Sequence, residues 1–338
     1  MQKGILVAIL LTLVVISLGA YTRLTDAGLG CPDWPGCYGQ LLVPTSSDAV
    51  ASAQQNFERP LEQHKAWNEM IHRYAAGTLG FVILGLCIAA WRYRQKRALA
   101  TALLVLVIFQ AALGMWTVTL GLLPLVVTAH LLAGFATLSL LVSWYFVRQR
   151  SFSGFSRMSP FLFLGLLILI GQIFLGGWTS TNYAAMSCHA LPVCEQGWQE
   201  SFDLSAFEPL PDTPRGDYEY GVLSHAQRTT IHASHRIGAA ITTIYLLILA
   251  LIHIQRRHSD FERGRAARMI WVLLLQVGLG LSNVVWQIPL PIAVAHNVVA
   301  ALLLTSLISL IVAHHQRVQP ALVKESDYEQ VSKPAVAA

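Results

Sequence analysis

Eight apolar runs set the terms on which this chain can fold. They fall at roughly 4–21, 73–91, 99–118, 121–147, 160–178, 234–255, 268–287 and 290–313. Each is of the length a helix needs to cross the hydrocarbon of a bilayer, about 17–25 residues. In lipid the backbone must satisfy its own hydrogen bonds, and continuous runs of this length do so as helices. Charge agrees with this reading. Asp, Glu, Lys and Arg make up 12% of the 338 residues, where soluble domains carry about 25%, and mean hydropathy is +0.53. The expected fold class is an all-α polytopic membrane protein with eight transmembrane helices. A net charge of +5 then belongs to basic loops facing membrane lipid, and nucleic acid is not expected as a partner.

Those basic loops give the orientation. Arg92, Arg94, Lys96 and Arg97 lie between the second and third runs, and Arg148, Arg150 and Arg157 between the fourth and fifth. Arg256, Arg257, Arg263, Arg265 and Arg268 lie between the sixth and seventh. By the positive-inside rule both termini are cytoplasmic, and the long segments at about 22–71 and 179–232 face outward from a cell (inner) membrane. The first run, with Lys3 before it and "SLGA" at its end, can also be read as a cleaved signal peptide. Its length and an internal copy of the segment favour retention.

That copy is part of a tandem repeat. "LGAYTRLTDAGLGC" ends at Cys31 and "LGGWTSTNYAAMSC" at Cys188, an offset of 157. "IHR" at 71–73 recurs as "SHR" at 234–236. "QAALG" at 110–114 recurs as "QVGLG" at 276–280, and "VTAH" ending at His130 recurs as "AVAH" ending at His296. The expected organisation is an amino-terminal half over 1–150, a carboxy-terminal half over 151–318 and a cytoplasmic tail over 319–338. An even number of spans per half gives the halves one orientation, related by an axis along the membrane normal. The two halves are expected to be tandem, pseudo-symmetric four-helix bundles.

Four cysteines form two C-x5-C pairs, Cys31 with Cys37 and Cys188 with Cys194, both in outward segments. Disulfides persist outside, so two intraloop bonds are one reading and a redox-active thiol pair the other. The spacing is not that of a zinc site. Cys87 lies alone in the second run and reads as a small core residue. Among twelve histidines, His253, His258, His314 and His315 are expected to be solvated at cytoplasmic ends, and His64, His189 and His225 lie in outward loops without pattern. His72, His130, His235 and His296 stand near the outward ends of even-numbered helices at matched places in both halves. Neutral imidazoles paired across a bundle fill both axial positions of a haem iron. Two haem-sized sites follow, one per half. Arg73 and Arg236, each directly after a ligand, can meet haem propionates or snorkel to headgroups.

Glu69 stands three residues before His72, on the same helix face. Its counterpart in the second half is His232. The halves are thus alike in ligation and different in chemistry, which points to one reacting haem and one helper haem.

These residues resemble haem A synthase, the CtaA/Cox15 family. The likeness rests on "GAYTRLTDAGLGCPDWPGC" at 19–37, on ExxHR at Glu69–Arg73, on HxxHR at His232–Arg236 and on His130 and His296. The paired cysteines are similar to the bacterial branch, whose outward loops carry disulfides. The resemblance implies oxidation of a ring methyl of haem O to a formyl group, through hydroxylated intermediates, to give haem A for cytochrome oxidase. It implies substrate haem O at His72 and His130, a permanent haem B at His235 and His296, and Glu69 in catalysis. Haem O synthase and an electron-transfer protein are the expected partners. The alternatives are a dihaem electron-transfer protein of quinol–cytochrome type and a haem-handling protein without catalysis. Ligands gathered at one side disfavour the first, and a handler has no need of Glu69.

Overall fold

The computed structural model describes the backbone of residues 1–146, 159–255 and 260–331 and side chains as far as residue 315. Arg148, Arg150, Arg157, Arg256, Arg257, His258, the boundary expected at 150/151 and most of the tail's side chains lie outside the described residues. The chain forms α1 (Gln2–Leu24), α2 (Ser47–Asn56), α3 (Gln63–Arg92), α4 (Arg97–Thr119) and α5 (Pro124–Phe146). It continues as α6 (Pro160–Thr181), α7 (His225–Gln255), α8 (Asp260–Val285) and α9 (Leu290–Val331). All but α2 are long and apolar enough to cross a membrane, eight in number among the described residues. Their outer faces carry large bare side chains: Phe81 is 77% exposed and Trp271 74%. In water such faces would be a liability; in lipid they are the expected surface. The protein is an all-α, multi-pass membrane protein.

Local signals explain several ends. Pro160 opens α6 at its first turn after Ser159, where a missing N–H costs nothing. Ser46 caps α2 by accepting from the Ala49 N–H at 3.3 Å. Packing then orders the helices into two rings. In one, α1 lies against α3 and α5, and α4 lies between α3 and α5; in the other, α6 lies against α7 and α9, and α8 lies between α7 and α9. The rings meet along α1–α9, α5–α9 and α5–α6, around a core that includes Phe135, Leu138, Leu246, Met269 and Leu307.

On the side of the long loops, two helices begin earlier than their apolar runs. α3 starts at Gln63 rather than 73, and α7 at His225 rather than 234. An apolar run marks only what lipid covers, whereas these helices continue past it and pack against the loops. Ala66 and Met70 of α3 join Cys31, Cys37, Tyr38 and Val43 in a small core. Ile231 of α7 joins Trp178, Ala184 and Ala206. The segment expected as a loop over 22–71 therefore holds α2 and the start of α3, and His64 and His225 are helical.

The long loops also meet each other. Arg59 pairs with Glu219 across them, and the Tyr218 N–H donates to Gly121 O at 2.7 Å. Gly121 has φ of +55°, and a Cβ there would lie 2.9 Å from Asp217 Cα. The α4–α5 turn thus needs glycine for its backbone angle and for the close approach of the second loop. Two further contacts join the rings. Arg23 Nη2 donates to Ser180 O at 2.5 Å, and Tyr183 Oη donates to Asp26 Oδ1 at 3.1 Å. Each joins positions 157 residues apart.

At the opposite helix ends His253 and His314 are drawn inward rather than solvated as expected. His253 is buried, and its Nδ1 lies 2.8 Å from Leu249 O. Its ring meets His314 edge-on at 5.8 Å, and His314 Nδ1 is 3.6 Å from the buried Glu262. Helices α7, α8 and α9 converge there, so groups at the span ends face inward. Arg265 fills the same region, between Phe146 and Phe261, and donates to Ser309 O at 2.8 Å.

Candidate functional site

His72 of α3 and His130 of α5 face each other inside the first ring. Their ring centroids are 6.4 Å apart and their planes 80° from parallel. Imidazole binds a metal at about 2 Å from nitrogen, so this separation suits one ion held between two rings. Each of the four histidines lies against a glycine of the preceding span. A Cβ on Gly19 of α1 would stand 2.8 Å from His72 Cε1, and one on Gly114 of α4 would stand 3.4 Å from His130 Cε1. In the second ring, Gly176 of α6 and Gly280 of α8 would each place a Cβ 3.1 Å from Cε1 of His235 and His296. A missing side chain at each place lets an imidazole come close to a neighbouring backbone.

The buried polar atoms around these rings fit an iron ligand set. Nδ1 of His72, His130 and His296 is buried without a hydrogen-bond partner among the described residues. Buried polar atoms without partners are rare and call for a cause; ligation supplies one. Carboxamides stand nearby. Gln110 Nε2 donates to His130 O at 2.9 Å. Gln172 Nε2 lies 3.0 Å from both Nδ1 and O of His235, and Gln276 Nε2 lies 3.2 Å from His296 Nε2.

Glu69 sits two turns into α3 and is 5% exposed. The Cys31 N–H donates to its Oε2 at 2.8 Å and Arg73 Nη2 to its Oε1 at 2.5 Å. It is therefore not a residue of the helix start, where a carboxylate would interact only with the first turn. His232 takes the same place in α7. The Cys188 N–H lies 3.3 Å from its Nδ1 and Arg236 Nε 3.1 Å from its Nε2, and a neutral imidazole accepts at one of the two. Carboxylate and imidazole thus do one structural task, holding the first cysteine of each loop.

The arginines complete that task. Arg73 Nη1 donates to the carbonyls of Asp33, Pro35 and Gly36 at 2.9, 3.3 and 2.5 Å. Arg236 donates to the carbonyls of Cys188, Ala190 and Val193 at 2.6, 2.7 and 2.7 Å. The sequence suggested propionates or headgroups as their partners; the structure turns both guanidiniums into the loops. Those loops are closed by Cys31–Cys37 and Cys188–Cys194 bonds, with Cα separations of 4.8 and 4.9 Å, and Cys87 is free and buried. Cys188, Cys194 and Glu195 lie close enough for a metal, but sulfurs bonded to each other offer no thiolate. The Glu195 carboxyl is held below its ordinary range, chiefly by the backbone N–H of His189.

Sequence reasoning missed the glycines and the carboxamides as parts of the site. The signal was present in "QAALG" and "QVGLG", which served only to mark the repeat.

Residues 3–308 match the family model described as cytochrome oxidase assembly protein, COX15-CtaA. A heme A synthase of Shewanella oneidensis is 47% identical over 314 residues, covering 90% of this chain and 93% of that protein. A heme A synthase of Mesorhizobium japonicum is 28% identical, with 89% and 87% covered. One of Bacillus licheniformis is 26% identical, with 87% and 88% covered. With these matches running through both rings and both loops, the chain belongs to the CtaA/Cox15 haem A synthase family.

Proposed function

We propose that this protein is a haem A synthase of the inner membrane, an oxidoreductase that converts a ring methyl of haem O to the formyl group of haem A for cytochrome oxidase assembly. The observation that carries this reading is the opposed His72–His130 pair at 6.4 Å, repeated in register by His235 and His296 with a glycine at every ring. A haem handler needs one such pair. Two pairs at matched places in the repeat, only one of them beside a buried carboxylate, suit one substrate haem and one helper.

In this reading His72 and His130 hold the iron of haem O, and His235 and His296 hold a permanent haem B. Haem B supplies a one-electron centre when bound. Glu69 stands one turn from His72 on the same face. Its carboxylate can take a proton from, or return one to, a group reacting at the edge of the substrate ring. Arg73 and the Cys31 N–H fix its two oxygens, so that proton transfer proceeds from a set position. Arg73 and Arg236 hold the two disulfide loops as a cap and keep bulk water from the rings. An electron-transfer protein and haem O synthase are the partners this chemistry implies.

We also read the two rings as pseudo-symmetric four-helix bundles, 1–150 and 151–318, with both termini cytoplasmic and the long loops outward. Arg23 and Asp26 meet Ser180 and Tyr183 at separations of 157, the offset of the sequence repeat. A residue touches its own counterpart only beside a two-fold axis.

The test is chromatography of haems extracted from cells that make haem O, with and without this gene. Haem A appearing only with the gene supports the enzyme. Haem O unchanged in both would overturn it.

A further inference from the structure

The position four residues before each ligand-facing glycine carries a pattern of its own. It is Gln110 before Gly114, Gln172 before Gly176 and Gln276 before Gly280, but Val15 before Gly19. One helical turn separates each pair, so the side chain falls over the same face as the glycine. Three imidazoles therefore have a carboxamide beside them, and His72 has valine, whose side chain offers no hydrogen bond.

Geometry sharpens the difference between the halves. In the second, both amides reach ring nitrogens: Gln172 at His235 Nδ1 and Gln276 at His296 Nε2. In the first, Gln110 reaches the main-chain carbonyl of His130 and neither ring. The Gln172 device also needs room. A Cβ at Gly238 would lie 2.4 Å from Gln172 Oε1. The repeat places Ala75 at the equivalent position, three residues after His72 as Gly238 is three after His235. The second half thus has the pair glutamine and glycine where the first has valine and alanine.

A ligating imidazole carries its proton on the nitrogen away from the metal, and that N–H needs an acceptor that fixes the ring. Gln172 Oε1 and Gln276 Oε1 have no partner among the described residues. A half-turn of the Gln276 carboxamide brings its oxygen to His296 Nε2, and turning Gln172 brings its oxygen to His235 Nδ1 in exchange for its bond to His235 O. We propose that Gln172, with the space left by Gly238, and Gln276 are positioning residues that lock both axial ligands of the carboxy-terminal haem, and that Val15 and Ala75 leave His72 the releasable ligand of the amino-terminal one. This rests on the functional reading above and deepens it. The retained haem is held by amide-locked rings, and substrate enters and product leaves on the His72 side.

The test uses the full-length protein purified in detergent, with apomyoglobin as haem acceptor. Gln172→Val, which installs the other half's residue, should speed haem B transfer to apomyoglobin by about 10–100-fold, the usual cost of losing a partner of a metal ligand. It should also raise the haem B midpoint potential. Gln172→Glu restores an acceptor, so it should bring back slow transfer and lower the potential below that of the parent. Val15→Gln with Ala75→Gly should slow release of haem O loaded into the purified protein, and this decides the matter if Gln172→Val does not accumulate. Transfer rate and potential of Gln172→Val within twofold of the parent, or unchanged release in the double variant, would overturn the proposal. His235→Ala separates the two levels. Loss of haem B there with an unaffected Gln172→Val sinks only the glutamine lock, whereas haem B kept in His235→Ala sinks the assignment of the halves.

Discussion

Replacing Glu69 by glutamine separates catalysis from architecture. The carboxylate accepts from Cys31 N–H at 2.8 Å and from Arg73 at 2.5 Å. Glutamine keeps one acceptor oxygen and turns its NH2 toward the other donor. One charge-assisted bond is lost, about 1.5–3 kcal/mol, and the loss falls on the cap rather than on the helices in lipid. A positioned acid–base group contributes about 10²–10⁴ in rate, which is about 2.7–5.4 kcal/mol of barrier at about 1.36 kcal/mol per tenfold. The two costs overlap, so glutamine alone leaves the cause ambiguous. The second half supplies the control. His232 stands between the Cys188 N–H and Arg236 with one acceptor nitrogen for the two donors, so Glu69→His can keep a loop contact without a carboxylate. Both variants should accumulate at parental levels with haem B in place, build up haem O or a hydroxylated intermediate, and yield little haem A. The assay is chromatography of extracted haems at equal protein abundance. Wild-type haem A from Glu69→His would refute the catalytic role and leave Glu69 as a loop anchor; His232→Gln should be the milder change.

Three further outcomes follow. Gly19→Ala puts a methyl 2.8 Å from His72 Cε1 and should lower haem A output by on the order of 10²-fold, the effect of a small misplacement at a reacting centre, with haem B retained on spectroscopy. Reporter fusions should be active outside after residues 50 and 205 and inside after 155; an outside signal at 155 would overturn the orientation. Peptide mapping without reduction should find Cys31–Cys37 and Cys188–Cys194 with Cys87 free, and Cys31→Ser should loosen a loop whose closure contributes about 2 kcal/mol while haem B stays bound.

The spans were legible because lipid leaves a long apolar record in the chain. The ends of α3 and α7 were not, because Gln63–Met70 and His225–His232 fold as helix above the apolar zone on contacts with the loops, and composition carries no trace of such contacts. The four histidines were legible through the repeat alone. Their glycines were hidden by an ordinary property of membrane helices, in which glycine is common, so only the distance to a ring sets Gly19 apart from Gly77, which has nothing within 4 Å. The arginines show what spacing leaves out: three loop carbonyls converge on each guanidinium, and no sequence spacing announces a carbonyl's direction. His253 ends a span, which predicts a solvated ring, whereas the convergence of α7, α8 and α9 buries it.

The division of labour between the halves is tested most directly by the haem content of two purified variants. His72→Ala should keep haem B at the parental ratio to protein and carry neither haem O nor haem A. His235→Ala should lose haem B, because one axial ligand and its carboxamide partner go together. Loss of haem B from His72→Ala with retention in His235→Ala would contradict the account and reverse the roles of the two halves.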